Sequence, residues 1–113
     1  MIVGQLFQFT KYIYMLYPTK EFLLKAIAKG AVTHPAARTH RQNIVAYAAL
    51  LAAYWSNELD CTISYVEPYS IFCLLEQDGE YVKILTSEGT LGWIYLSGSA
   101  EPDIEKLYNQ FLV

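Results

Sequence analysis

The sequence predicts a small α+β domain: a β-barrel or meander with an inserted helical hairpin and a C-terminal helix. Three observations predict it. Aromatic and β-branched residues crowd into short runs over 5–17 and again over 62–96, each run bounded by turn residues. Between them, the insertion over 20–56 holds two helical segments, about 20–29 and 35–55, separated by Gly30 and opened again at Pro35. Finally, Ile104, Leu107, Tyr108, Phe111 and Leu112 fall at i, i+3, i+4, i+7 and i+8, one apolar stripe of a helix.

Residues 5–9 and 12–17 predict two strands or one bent strand, broken by Pro18-Thr19. Thr19 is placed to cap a helix over 20–29 whose apolar set is Phe22, Leu23, Ala26 and Ile27, and Gly30 stops it. Thr33 or His34 opens a second helix with Pro35 in its first turn, running to about Trp55, with Ser56-Asn57 as its end. The later turns of this helix are apolar nearly all round, so it needs cover on more than one side.

After Asp60 the pattern changes to strands at 62–65, 70–77, 81–86 and 90–96. Asp78-Gly79 predicts a two-residue hairpin turn, and 87–89 a three-residue loop with Gly89 in the left-handed position. These loops pair Leu75 with Val82, Cys73 with Ile84, Ile84 with Gly92 and Val82 with Ile94. One face then carries Ile71, Cys73, Leu75, Val82, Ile84, Gly92 and Ile94 as core. The other carries Phe72, Leu74, Tyr81, Lys83, Leu85, Leu91, Trp93 and Tyr95, with Lys83 set across from Trp93 for a cation–π contact. That second face is too apolar for water; either the helices over 20–55 cover it, which is the favoured reading, or a partner does. A helix led by Glu101-Pro102-Asp103 and running over 102–112 closes the chain.

At 113 residues, with 54% hydrophobic and 17% charged residues, the chain makes one domain and excludes disorder, a collagen-like repeat and a coiled coil. The net charge of −3 and a pI near 5.2 argue against a nucleic-acid binder. The charge is dipolar: residues 1–56 hold six Lys and Arg against Glu21 alone, and residues 57–113 hold two Lys against ten acids. The favoured reading is that the two halves face each other within the fold; the other is stacking of copies head to tail.

Cys61 and Cys73 are too few for a disulfide framework. If 61–65 and 70–75 pair across their turn, the two sulfurs lie on opposite faces, and buried reduced thiols result. The N-terminus lacks a signal-peptide pattern, and the longest apolar run, 44–55, is too short for a membrane span, so the expected setting is cytoplasmic or inside a virion.

No Gly-x-Ser-x-Gly or glycine-rich phosphate loop occurs in the sequence, and two His with two Cys make no metal set, so no enzyme activity, cofactor or metal is expected. His34, Arg38 and Arg41 share one helical face near a helix start, a candidate for anion binding or, in the other reading, a solvated face that meets the acidic half of the chain.

The stretch 70–98, with its Leu-Glu-Gln-Asp-Gly-Glu-Tyr-Val-Lys-Ile hairpin followed by Gly-Thr-Leu-Gly-Trp-Ile, resembles the second half of a bacterial-type SH3-like barrel. Val-Gly-Gln-Leu-Phe-Gln-Phe resembles that family's first strand, and Ile-Ser-Tyr-Val-Glu-Pro its lead-in to the next turn. The resemblance covers 2–17 and 62–98, about half the chain. It departs where two helices replace a loop, which puts polyproline recognition by Tyr12, Tyr14 and Tyr17 in doubt. The Leu-Tyr-Pro-Thr-Lys-Glu stretch at 16–21 is similar to small tailed-phage proteins.

Together these readings imply a non-catalytic interaction or structural subunit of a homo- or hetero-oligomeric assembly, such as a phage particle. Its contact residues would be Tyr81, Lys83, Trp93 and Tyr95 on the sheet, with Phe111 and Leu112 at the terminus. The alternative is a stand-alone regulatory protein that grips a cellular partner through its acidic or aromatic face.

Overall fold

The computed structural model describes residues 3–9, 13–32, 41–67, 69–96 and 104–106. Strands β1 (Leu6–Phe9) and β2 (Tyr14–Leu16) precede helices α1 (Lys20–Ala28) and α2 (Arg41–Leu59). Strands β3 (Ser64–Val66), β4 (Ile71–Asp78), β5 (Tyr81–Thr86), β6 (Leu91–Tyr95) and β7 (Ile104–Lys106) follow. The domain is α+β, with a helical pair inserted between β2 and β3.

The sheets are antiparallel but do not close into a barrel. Five strands run in the order β6-β5-β4-β1-β7, and β2 pairs with β3 in a separate two-stranded sheet. The two sheets meet through one bridge between Tyr17 and Trp93. The expected pairing of 61–65 with 70–75 is therefore corrected: β3 takes β2, and β4 takes β1. Cys61 and Cys73 are free, as expected, but half-buried rather than buried.

The β5–β6 register is as the loop lengths predict, Val82 opposite Ile94 and Ile84 opposite Gly92. The β4–β5 register is not. Asp78 pairs with Tyr81, so the turn residues are Gly79 and Glu80. Gly79 takes φ +61°, the requirement at the first central position of a type II′ turn. A bulge between Leu74 and Glu76 then shifts the remaining pairs, giving Leu74 opposite Ile84 and Phe72 opposite Thr86. A one-residue shift exchanges the faces of a strand. Phe72 and Leu74 are therefore core, while Leu75 is exposed and Ile71 and Cys73 are half-buried on the outer side. The exchange puts the larger apolar side chain inward, because Phe72 stacks on Phe9 at 4.4 Å and on Phe7 at 5.5 Å.

Both helices end on left-handed residues. Thr19 caps α1 by accepting from the Phe22 N–H at 3.3 Å, and the Ala31 N–H closes its far end on the Ala26 carbonyl at 2.9 Å. Helix α2 runs through Ser56-Asn57 to Leu59, beyond the predicted stop. The Ser56 hydroxyl is satisfied inside the helix, donating to the Ala52 carbonyl at 2.6 Å, and Leu59 adds one more buried side chain. The helix terminates where Asp60 turns to φ +52° and the Cys61 N–H reaches the Ser56 carbonyl at 3.1 Å.

The predicted C-terminal helix is corrected at its start: Ile104–Lys106 is a strand on the free edge of β1, with Phe9 opposite Ile104. An edge offers unpaired backbone groups, and pairing with them overrides the helical spacing of three residues. The remainder of that predicted helix lies outside the described residues.

Candidate interaction surface

The outer sheet face is the first place to look, since Tyr81, Lys83, Trp93 and Tyr95 all lie there. The chain itself covers much of it. Tyr81, Trp93 and Tyr95 are half-buried and pack against a cluster of Met15, Tyr17, Leu23, Ala26, Trp55 and Leu59. The helices take the position favoured from the sequence.

Polar contacts lock the same end. Lys20 at the start of α1 pairs with Asp78 on the hairpin, and its Nζ lies 5.6 Å from the centre of the Tyr81 ring. The hydrogen bond to Asp78 raises the Lys20 pKa. Tyr95 donates from its hydroxyl to the Glu80 carboxylate at 2.7 Å, which raises its pKa. Lys83 stands opposite Trp93 in the register, as predicted.

What remains open on this sheet is modest. Leu75, Leu85 and Leu91 are exposed. A shallow depression of about 300 Å³ between Leu6, Ile71, Cys73 and Leu85 is mostly apolar. A separate hollow of about 380 Å³, lined by polar and apolar surface in nearly equal parts, is bordered by Tyr65, Val66, Glu67, Ser70, Thr86 and Glu88.

Helix α2 is the larger surface. Ala48, Ala52, Trp55 and Leu59 are buried at steps of four, three and four residues, one face of a helix packed on the domain. The sequence pattern demands cover on more than one side, and the described residues supply it on one. Tyr47, Leu50 and Tyr54 are 47%, 71% and 56% exposed, at steps of three and four on the opposite face. Ala46, Ala49 and Ala53 lie exposed among them. From Gln42 to Asn57 the helix carries no charge. These residues were not singled out by sequence because an all-apolar helix does not reveal which side faces inward. The available signal is the uncharged run itself, longer than one buried face requires.

Other candidates are placed as follows. Arg41 is the first residue of α2, whereas His34, Arg38, Phe111 and Leu112 lie outside the described residues. Among the described residues no group of three or more His, Cys, Asp or Glu side chains is placed to hold a metal. Among them, too, no helix is long and apolar enough to cross a membrane. The Tyr17 hydroxyl is buried without a hydrogen-bond partner, and burial, with a smaller contribution from Cys61, pushes its pKa up to about 12. Burial raises the Cys61 thiol, with Asp60 adding to the effect. Comparison with protein-family models, with curated proteins and with solved structures finds no match to this chain.

Proposed function

We propose that this chain is a non-catalytic protein–protein interaction or structural subunit of a larger assembly. The observation that carries the reading is the uncovered face of α2, where Tyr47, Leu50 and Tyr54 stand exposed on an uncharged helix. Soluble monomers rarely leave more than about 300–600 Å² of continuous apolar surface in water, and such patches mark contact sites. Aromatic side chains anchor interfaces because they bury a large area at a small cost in rotamer freedom.

The contact surface in this reading is the helical insertion, and the sheet aromatics Tyr81, Trp93 and Tyr95 act as its support. An SH3-like ancestry for the strands is part of the proposal; the β4–β6 meander in the stretch that carries that resemblance supports it. A tailed-phage virion is the assembly suggested by the resemblance at 16–21.

Light scattering of the untagged chain over a wide concentration range tests the proposal. A mass of two or more times 12.9 kDa supports it, and a monomer at every concentration contradicts self-assembly and turns the reading to a foreign partner. A second reading, a stand-alone binder, is favoured by the exposed acids Glu76, Asp78 and Glu80 at the β4–β5 tip. It predicts a monomer whose association with a basic partner slows steeply with salt.

A further inference from the structure

We infer that the partner of the α2 face is a second copy of this chain, packed parallel about a two-fold axis that passes between the two Leu50 side chains. This inference rests on the reading of α2 as a contact surface and names its occupant.

The argument comes from the order of residues on the exposed face. Ala46-Tyr47 recurs seven residues later as Ala53-Tyr54, and Leu50 stands midway between the two pairs. Along a helix these five residues form one stripe, with the tyrosines on one flank, the alanines on the other and Leu50 at the centre. All five are exposed. A parallel two-fold turns the tyrosine flank of one copy onto the alanine flank of the other. Tyr47 then lies over Ala46 of the copy, Tyr54 over Ala53, and Leu50 meets Leu50. Each protrusion finds a hollow of the same stripe, so the face is complementary to itself, as a two-fold contact requires. An antiparallel two-fold would instead bring tyrosine against tyrosine and alanine against alanine, leaving the spacing uneven.

The far end of the stripe agrees with this. Asn57 is exposed one heptad beyond Leu50. In the parallel arrangement it is level with its own copy, the placement in which an asparagine selects register and two-strandedness at a cost in stability. The absence of charge between Arg41 and Glu58 matters for the same reason, since any charge on a two-fold stripe would face its like. The covered seam is three turns long, at the small end of specific interfaces, below about 1,200 Å². The dimer is accordingly reversible, and its mass depends on concentration.

Disulfide trapping tests the inference. Leu50→Cys and Asn57→Cys are oxidised mildly beside Leu24→Cys, an exposed position on α1, with the parent chain reporting any reaction of Cys61 or Cys73. Circular dichroism first establishes that each variant is folded. The inference predicts that both α2 variants form disulfide dimers about tenfold or more faster than Leu24→Cys, because the seam holds like residues at high effective concentration. Rapid trapping at position 50 but not at 57 overturns the parallel register. Equal, slow trapping at all three sites, in a chain that light scattering shows to be oligomeric, overturns the two-fold contact and leaves the assembly reading standing. Slow trapping in a chain that is monomeric throughout overturns both the two-fold contact and self-assembly.

Discussion

Tyr17 and Trp93 exchange two backbone hydrogen bonds, the Tyr17 N–H donating at 2.9 Å and the Trp93 N–H donating back at 2.7 Å. This pair is the bridge between the two-stranded sheet and the five-stranded sheet. It holds β2, and the helical pair that follows β2, against β6. The close approach depends on the residue beside it. A Cβ on Gly92 would stand 2.7 Å from Leu16 Cγ and 2.8 Å from the Tyr17 carbonyl oxygen. Gly92→Ala is therefore expected to destabilise the domain by about 1–3 kcal/mol, the usual cost of overpacking, read as a lowered urea midpoint.

Trp93 supports the helices from below, so its truncation separates stability from assembly. Trp93→Ala is expected to cost about 2 kcal/mol or more of folding stability while leaving the mass of the folded protein unchanged. Chemical denaturation and light scattering on the same sample give both readings. A folded variant that loses assembly would make Trp93 itself the contact.

Ser56 joins α2 to the segment leading into β3. Its hydroxyl donates to the Ala52 carbonyl at 2.6 Å and accepts from the Ile63 N–H at 2.9 Å. Ser56→Ala leaves that N–H without its acceptor beside a buried residue, at an expected cost of about 1–2 kcal/mol in denaturant unfolding.

Tyr17 gives the fold an alkaline limit. Its pKa stands at about 12 in the folded state, above the ordinary tyrosine value of about 10, because burial disfavours the phenolate. Below the unfolded value the hydroxyl is neutral in both states and imposes no pH dependence, and stability falls as pH rises from there through the folded value, because only the unfolded chain ionises freely. Tyr17→Phe removes a buried hydroxyl that has no partner. The variant is expected to match or exceed the parent by up to about 1 kcal/mol at neutral pH and to unfold at higher pH in an alkaline titration.

Much of this architecture is readable from local chemistry. The Thr19 cap, the hairpin loop at 87–89 and the β5–β6 register each follow from a few adjacent residues. The β4 faces were not readable, because the bulge at Leu75 leaves no mark in the run Ile71 through Leu75, which is apolar at every position. The packing of Phe72 on Phe7 and Phe9 decides which way that strand faces, and it brings together residues far apart in sequence. Ile104–Lys106 shows the same effect, where the edge of β1 outweighs a helical stripe. For the proposed contact surface, the sequence marked α2 as too apolar for one covered face. Which residues stay outside was settled only by the seating of Ala48, Ala52, Trp55 and Leu59.

The central claim is that the outer face of α2 carries assembly, and the solution mass of Leu50→Glu beside the parent chain tests it most directly. Leu50 is 71% exposed, so a glutamate there leaves the core untouched and places a charge in the middle of the uncharged stripe. The account predicts a concentration-dependent mass above 12.9 kDa for the parent and a 12.9 kDa monomer for the variant, with equal melting temperatures once both are monomeric. A parent chain that remains a monomer, or a Leu50→Glu variant that assembles as the parent does, contradicts it.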